Sequence, residues 1–496
     1  MSDANRTKLS FVAESTLGTT PASPAWKQLR ITRSGLTYRP LTVQSNELAS
    51  DRQVTDLIRV GQEAGGSFDA EFSFANTDPL LESAFFAAWA QMPYRYNNGS
   101  ADSVLTDATT TVITHTNPST EATGQGAYAA GHLVRHSGFT NSGNNGLFRV
   151  SAATSTTYTT TGLTTEASPP GTARSKVVGI EGASGDITAA AGATNTLTTS
   201  ALSWTDLGIV AGMWLKVGGG SAGTQFATAA NNDWVRVSDV TATVLTLDRV
   251  PGGWTTDSGT SKTIRLWVGD YLRNGTTKKS FSFEQQYQDL TTPEYDVFAG
   301  MLANSFALQA DAQAIKSLSL EFQGLSASNG TSRVASSTDT ATDYLGAVPR
   351  AGDVFNTSSN VARLAEGGSA ITGSYVLGLS VSLNNNLRRQ NAVGSLSSVG
   401  MGAGRAVVTG NLNTYYGSNA IRTKLLNGTA TSLDARFADP NGTRAYVLDM
   451  PRVKLTDGSP EGIQSDSDRT INMAFQALKD ATLGYTIQLQ RFEEFA

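Results

Sequence analysis

The chain has 496 residues and a net charge of −5, so it has no general basic field for gripping the phosphates of nucleic acid. It contains no cysteine, which excludes disulfides, thiol nucleophiles and cysteine-bound metals. Its 49 glycines and low charged fraction, 16%, favour many short strands and turns, and its length exceeds what one core usually supports. We therefore expect a mainly β protein with several domains.

No targeting or membrane segment is visible in the sequence. The opening MSDANRTKLSF has no apolar core, and the longest strongly apolar run, AFFAAWA at 84–90, is too short to span a bilayer. We expect a protein that is made in a cytoplasm and has no membrane partner.

The stretch ELASDRQVTDLIRV at 47–60 is the first irregular feature along the chain. At the strand period of two, Asp51 and Arg59 fall on one face, while Arg52 and Asp56 share the other face with apolar residues. A half-buried strand alternates apolar with polar side chains. Neither face of this stretch therefore suits the core of a monomer.

A long pattern occurs twice in the chain. Residues 29–40 and 65–86 resemble residues 377–389 and 408–428, and each pair predicts strands, a turn and a short helix. The order continues in both copies with further strands, at 279–310 and 314–324 in the first copy and at 431–458 and 469–478 in the second. A duplication with an interrupted first copy explains this pattern.

The interruption holds a second, shorter repeat. Residues 128–163 and 209–250 both contain Ala-Gly, a strand, a Gly/Asn-rich loop and another strand, so we predict two small all-β modules outside the main core. The Ser/Thr/Gly-rich segment that follows the first copy is predicted to be a linker. The predicted domain order is copy 1 first part (1–94), inserted module 1 (95–180), inserted module 2 (181–275), copy 1 second part (276–325), linker (326–372) and copy 2 (373–496).

The sequence predicts no catalytic, cofactor or metal site. His132 and His136 are four apart, but Gly131 and Gly138 indicate strand and loop, so we expect surface histidines there and an exposed His115. With three histidines a Ser/His/Asp triad is a poor candidate. A glycosidase-type carboxylate pair stays open, because acidic residues are plentiful and their separation is a three-dimensional property.

Tryptophans are concentrated in the inserted modules. Their side chains either fill small cores, which we favour, or form exposed platforms that stack on sugar rings. The second reading motivates an alternative function, a carbohydrate-binding adhesin or host-receptor-binding protein. The residues concerned are Trp204, Trp214, Trp234, Trp254 and Trp267.

The two long copies resemble a known family. KLSFVAESTLGTTPASPAW near the start, NELASDRQVTDLIRVGQEAGGSFDAEFSF with DPLLESAFFAAW, and downstream YVLDMPRVKLTDG and INMAFQALKD are similar to the major tail tube protein of long-tailed, non-contractile bacteriophages. The resemblance implies β-sandwich or barrel domains, each with a short flanking helix, and no enzymatic activity or cofactor. The inserted modules then resemble decoration on the outside of a tube.

The family resemblance also implies partners and a location. The chain would associate with itself into rings of six tube domains from three chains, and the rings would stack into the virion tail. Other implied partners are the tape measure protein, the tail terminator and tip proteins, and double-stranded DNA that passes through during ejection without specific binding.

In such an assembly the 47–60 stretch has a role. We predict that residues 47–56 reach a neighbouring subunit or ring as an extended arm and that residues 57–60 return to the subunit's own sheet. The candidate inter-subunit contacts are Glu47, Asp51, Arg52, Asp56 and Arg59. A solvated edge strand without a partner is the alternative.

Overall fold

The computed structural model is built almost wholly from antiparallel strands. It describes residues 3, 6–48, 50–51, 53–97, 105–116, 126–333, 354–356, 361–371, 375–417, 419–439, 443–458 and 468–494.

The chain begins with five strands and a helix. Helix α1 has Pro79 in its first turn, where proline's missing N–H costs nothing, and it ends where Phe86 turns into the left-handed region with φ 51°. These elements are β1 (Thr7–Ala13), β2 (Lys27–Gln28), β3 (Arg33–Ser34), β4 (Thr37–Gln44), β5 (Leu57–Glu71) and α1 (Asp78–Phe85).

The region that interrupts the first copy follows, and we call residues 94–267 the insert. Two short 3-10 helices, Ser142–Asn144 and Ala229–Asn231, lie in its loops. Its strands are β6 (Tyr94–Tyr96), β7 (Leu105–Ala108), β8 (Val112–His115), β9 (His132–Ser137), β10 (Gly146–Arg149), β11 (Ala152–Ala153), β12 (Thr157–Thr159), β13 (Glu166–Ala167), β14 (Arg174–Glu181), β15 (Thr188–Ala190), β16 (Asn195–Thr198), β17 (Trp214–Val217), β18 (Trp234–Val240), β19 (Val244–Arg249) and β20 (Arg265–Trp267).

The remaining strands complete two similar units. The strands that complete the first are β21 (Asp270–Arg273), β22 (Phe281–Tyr287), β23 (Glu294–Asp311), β24 (Ser317–Gly324) and β25 (Ser326–Gly330). Those that follow are β26 (Val361–Glu366), β27 (Ser369–Ala370), β28 (Val376–Asn384), β29 (Arg388–Gln390), β30 (Gly400–Gly402), β31 (Val407–Tyr415), α2 (Ala420–Leu426), β32 (Thr431–Ala438), β33 (Ala445–Asp457), β34 (Thr470–Ala477) and β35 (Gln488–Phe492). We call 7–89 with 270–330 unit 1, and 361–492 unit 2.

Both units have the same strand order. In unit 1 the antiparallel order is β2-β1-β22-β23-β24-β5-β3. In unit 2 it is β27-β26-β32-β33-β34-β31-β28. The equivalence extends to β25 and β35, which pair with β23 and β33 respectively. The structure therefore repeats one topology twice, as a duplication requires.

A pair of glycines shows the repeat at the level of single residues. A Cβ atom on Gly66 would lie 2.1 Å from the carbonyl oxygen of Gly35, and one on Gly410 would lie 2.1 Å from that of Ser380. Both glycines therefore let a neighbouring strand approach closely, at the same place in each unit.

The predicted linker, 326–372, differs from the structure where the structure describes it. It contains β25, β26 and β27, and β26 takes the place in unit 2 that β1 takes in unit 1. Its Ser/Thr/Gly-rich composition concealed these strands, because strand pairing depends on partners far along the chain. Residues 334–353, 357–360 and 372 lie outside the described part, and the exact domain limits stay a prediction.

The insert forms sheets of its own. One has ten strands, in the order β10-β9-β14-β20-β17-β18-β19-β16-β15 with β6 beside β14, and the other has five, β11-β12-β8-β7-β13. The pairing of β14 with β20 joins both predicted modules in one sheet. The mainly β fold, with two repeated units and their short helices, is confirmed.

Candidate assembly surface

The β4–β5 hairpin extends beyond the body of unit 1. Only residues 64–71 of β5 pair with β24, while its first part pairs with β4 alone among the described strands. Pro40 in β4 is compatible with this position, since an edge strand tolerates a residue that lacks an N–H donor. A two-stranded ribbon is marginally stable by itself in water, so this arm, the described residues within 37–63, suits a partner.

Apolar side chains are exposed along the arm. Leu57 is 61% exposed, and Ile58 beside it and Val43 opposite are also more than half exposed. Leu48 and Val54 near the tip are exposed as well. Soluble monomers rarely expose this much apolar surface on one hairpin. Exposed apolar patches often mark interaction sites.

The predicted contact residues that the structure describes lie on this arm, Glu47, Asp51 and Asp56 near its tip and Arg59 within β5. Glu47, Asp51, Asp56 and Arg59 are all exposed, and Arg52 lies outside the described residues. Inside the chain they make local bonds: Thr55 donates to the Glu47 carboxylate at 3.2 Å, and the Asp51 carboxylate accepts from the backbone of Gln53 at 3.2 Å. Their contact with a neighbour stays a prediction.

The apolar part of the arm was missed by the sequence reasoning. Residues 57–60 were expected to return to the subunit's own sheet, and they do begin β5, but there they pair only with β4 among the described strands and stay exposed. The run Leu57-Ile58 was the available signal. An apolar run is usually assigned to a core, and only the pairing pattern shows that no core reaches it.

The base of the arm rests on the corresponding hairpin of unit 2, β29–β30. Arg389 donates to the backbone carbonyl of Ala64 at 2.7 Å and lies 3.5 Å from the Glu63 carboxylate. Gln62 also bonds the hydroxyl of Ser397. The two units therefore use this element differently: a long arm in unit 1 and a short support in unit 2.

The two units meet through a second, larger contact. Strand β23 of unit 1 pairs with β28 of unit 2 from Ser305–Asn384 to Asp311–Gly378. The end of β5 packs on unit 2, with the ring of Phe72 5.1 Å from that of Tyr446. One continuous hydrophobic core runs through both units.

Buried charges tie α1 to unit 2 and the insert. Arg491 donates to the carboxylates of Asp78 and Asp270, and Lys176 donates to Asp270 at 2.6 Å. Burial raises the pKa of Asp78, although Arg491 and Tyr446 oppose the shift. Burial acts in the same direction on Asp270, but Lys176 and Arg491 outweigh it and lower its pKa.

The insert is docked on unit 2. The rings of Trp234 and Phe492 are 4.7 Å apart, edge to face, and Arg236 donates to Asp449 at 2.9 Å. The side chain of Gln490 bonds both the backbone N–H and the carbonyl of Trp214. The insert is thus held by apolar, ionic and backbone contacts as well as by its two chain connections.

The tryptophans of the insert lie in its cores and interfaces. All five are at most 8% exposed: Trp204, Trp214, Trp234, Trp254 and Trp267. The core-packing prediction is confirmed for them, and the observation that motivated a sugar-binding surface is absent.

The histidines differ from the prediction. His115, His132 and His136 are all buried, at most 3% exposed, because the strands that carry them, β8 and β9, face the core of the insert. Burial lowers their pKa values to about 4, about 4 and about 3 respectively, so all three are neutral near pH 7. Hydrogen bonds hold them, as between the His136 ring and the Tyr158 hydroxyl at 2.7 Å.

The described residues contain neither a cluster of metal-binding side chains nor a membrane-spanning helix. No group of three or more His, Asp or Glu side chains there is placed to hold a metal ion. No described helix has the length and hydrophobicity that crossing a bilayer requires.

Comparison with known proteins identifies the family. No curated protein matches the chain. A family model described as phage tail tube protein matches it twice, over residues 4–244 and 203–477, which is consistent with a duplicated tube domain. The chain therefore belongs to the phage tail tube protein family, whose members are structural components of the virion and not enzymes.

Proposed function

We propose that three chains associate head to tail into a ring of six tube units, and that the rings stack into the tail tube through which DNA passes into the host. The chain acts as a passive wall in this proposal and catalyses nothing. The family membership supports the structural role, and the contact between the two units supports the ring.

One difference between the units carries the proposal. Strand β28 of unit 2 is paired on both sides, by β31 and by β23. Its equivalent in unit 1, β3, pairs with β5 alone among the described strands. The open side of β3 is the counterpart of the side by which β28 binds unit 1. An open edge of this kind is a template for a strand from another chain.

The contact between units is heterologous, because the two units contribute different strands to it: β23 from unit 1 and β28 from unit 2. A heterologous contact that repeats with a closing rotation generates a ring. Each chain supplies two units and already contains one such contact. If the unit 2 face of one chain binds the unit 1 face of the next, three chains close the ring of six domains implied by the resemblance.

The arm of unit 1 is proposed to join one ring to the next. It projects from the sheet and exposes Leu57 and Ile58, whose full burial is worth about 1.5–3 kcal/mol each. The charged residues Asp51, Arg52, Asp56 and Arg59 would then fix the register, since exposed ion pairs contribute only about 0–1 kcal/mol. The arm would thus supply affinity through its apolar residues and register through its charged ones.

The remaining partners follow from the same role. Rings at the ends of the tube would meet the terminator and tip proteins, and the lumen would hold the tape measure protein before DNA. The net charge of −5 suits a conduit, because a basic lining would retain the phosphates. Synthesis would take place in the host bacterial cytoplasm.

The mass of the assembly tests the ring. Sedimentation and native mass measurement of the purified chain should give particles whose masses are multiples of three 52.1 kDa chains. Monomers that persist at every concentration, salt and temperature would contradict the proposal.

A further inference from the structure

Helix α1 shows how one unit receives the helix of another. All eight of its residues are buried, and the contacts that cover it come partly from unit 2. The Tyr446 hydroxyl donates to Asp78 at 2.6 Å, and Asn385 donates to the carbonyl of Ala84 at 2.8 Å. The strand end that leads to α1 packs there too, with Phe72 against Phe437.

The strand register locates the equivalent place on unit 1. A bulge follows Phe281 in β22 and Thr431 in β32, and counting from it the pair Tyr287–Glu294 corresponds to Phe437–Tyr446. Unit 1 has an open groove of about 410 Å³ at this place. Its lining residues include Leu36, Tyr38, Tyr287, Asp296, Phe298 and Ala327.

Helix α2 is the counterpart of α1, and it is not covered in the same way. Leu426 is 72% exposed, and Tyr415 at the end of β31 is 36% exposed. The backbone N–H of Tyr416 bonds the carbonyl of Arg469 at the position where Phe72 bonds Lys316. The segment that leads into α2 therefore has the same place in unit 2 as the segment that leads into α1 has in unit 1.

We propose that α2 and the end of β31 of one chain dock in the unit 1 groove of a second copy of this chain. The inference rests on the proposed ring and names the surfaces that close it. The occupant is argued from the chain's own internal contact, in which α1 fills the equivalent place on unit 2. Burial of Leu426 and Tyr415 would then replace two exposed apolar side chains by a contact.

Charge distinguishes the two contacts. Helix α1 begins with Asp78, which meets Arg491 on unit 2. Helix α2 carries no acidic residue; its Lys424 is paired with Glu366 of the same chain at 2.6 Å, which leaves Arg422, whereas the groove on unit 1 contains Asp296. In the proposed contact between chains the helix would supply the cation and the groove the acid, the reverse of the Asp78–Arg491 contact inside a chain. In the proposed contact Arg422 would lie near Asp296, and complementary charge of this kind favours one partner over another.

Cysteine cross-linking tests the contact, because the natural chain has no cysteine. The probe is the full-length double variant Leu426→Cys/Ser328→Cys, with one cysteine on α2 and one at the groove, treated with a short thiol-reactive cross-linker. The matched control is Leu426→Cys/Ser258→Cys, whose second cysteine lies at an exposed loop position of the insert. Both variants are first checked for assembly by electron microscopy.

We expect cross-linked trimers from assembled Leu426→Cys/Ser328→Cys, and loss of that product in the control and in disassembled protein. We also expect Leu426→Asp, which places a second acid near Asp296, to lose assembly while it remains folded. Tubes from the probe variant without cross-linked product, together with normal tubes from Leu426→Asp, would overturn the inference and leave the ring intact. A wild-type chain that never forms an oligomer would instead contradict the proposed function itself.

Discussion

Arg491 in β35 donates a hydrogen bond to the carboxylate of Asp78 at the start of α1, and both side chains are buried. This contact joins unit 2 to unit 1, and its two residues are 413 positions apart in the sequence. Arg491 also bonds Asp270 and lies with its guanidinium 4.8 Å from the ring of Trp89. The relative position of the two units is thus fixed inside the chain, before any assembly.

Removal of this arginine should destabilise the folded chain. Arg491→Met removes the only cation among the described residues that the structure places on the Asp78 carboxylate, whereas Asp270 keeps Lys176 at 2.6 Å. Removal of one partner of a buried ion pair costs about 3–5 kcal/mol. The free energy of unfolding from urea titration of the unassembled chain measures the loss. The matched control is Arg39→Met, which breaks the exposed Arg39–Glu63 pair and should cost less than about 1 kcal/mol. Equal losses in the two variants would contradict the structural role of Arg491.

Alanine should destabilise the chain at two glycines that stand at equivalent positions in the two units. Gly66→Ala and Gly410→Ala each place a Cβ atom 2.1 Å from a backbone carbonyl oxygen, and relief of that overlap should cost about 1–3 kcal/mol. Gly252→Ala is the control, because nothing lies within 4 Å of its added Cβ. Thermal unfolding of the three variants checks the order, and a Gly410→Ala variant as stable as Gly252→Ala would argue against the repeated close approach.

The arm should matter for assembly but not for folding. Ile58→Asp introduces a charge on an apolar, solvent-exposed position, so the unassembled chain should unfold as the wild type does. Asp56→Arg combined with Arg52→Asp tests the charges in the same way. We expect both variants to form few or no long tubes by electron microscopy. The control is Ser258→Asp on the insert, and normal tubes from the arm variants would show that the arm has no role in stacking.

Acid should destabilise the chain through its buried histidines. In the folded chain the pKa values of His115, His132 and His136 lie below the ordinary 6.5. The folded state therefore binds protons less readily than the unfolded state, and the full stability is present only above about pH 6.5. The stability is lost as pH falls from about 6.5 towards about 4, by at most about 1.4 kcal/mol per pH unit for each histidine.

Urea midpoints of the unassembled chain between pH 7 and pH 4.5 measure this loss. His132→Gln should flatten the dependence, because glutamine does not titrate. An unchanged slope in that variant would show that another group carries the acid sensitivity.

The class of fold could be predicted from the sequence, because the repeated units have similar patterns of apolar residues. Strands at 408–428 and 469–478 could be matched to those at 65–86 and 314–324 without any partner in view. Contacts such as Arg236 with Asp449 could not be predicted, since the two residues are 213 positions apart and nothing local marks them. The same limit explains why the histidines were assigned to the surface.

The candidate site was predicted in part. The mixed charges of 47–60 indicated a segment unsuited to a monomer core, and the structure places the described part of it on an exposed arm. Its apolar residues Leu57 and Ile58 lie in the subunit's own sheet as expected, but their exposure was not predicted, because an apolar pair near the start of a strand usually faces a core. The exposed part of β5 lies before residue 64, where its pairing with β24 begins. That point is set by contacts in the folded chain and has no local signal in the sequence.

Electron microscopy of the assembled protein tests the central claim most directly. Image reconstruction of tubes, from purified chain or from virions, should show rings of three chains that contribute six tube units, with β3 of each chain beside unit 2 of its neighbour. Rings with a different number of units, or tubes in which β3 and the unit 1 groove face solvent, would contradict the account.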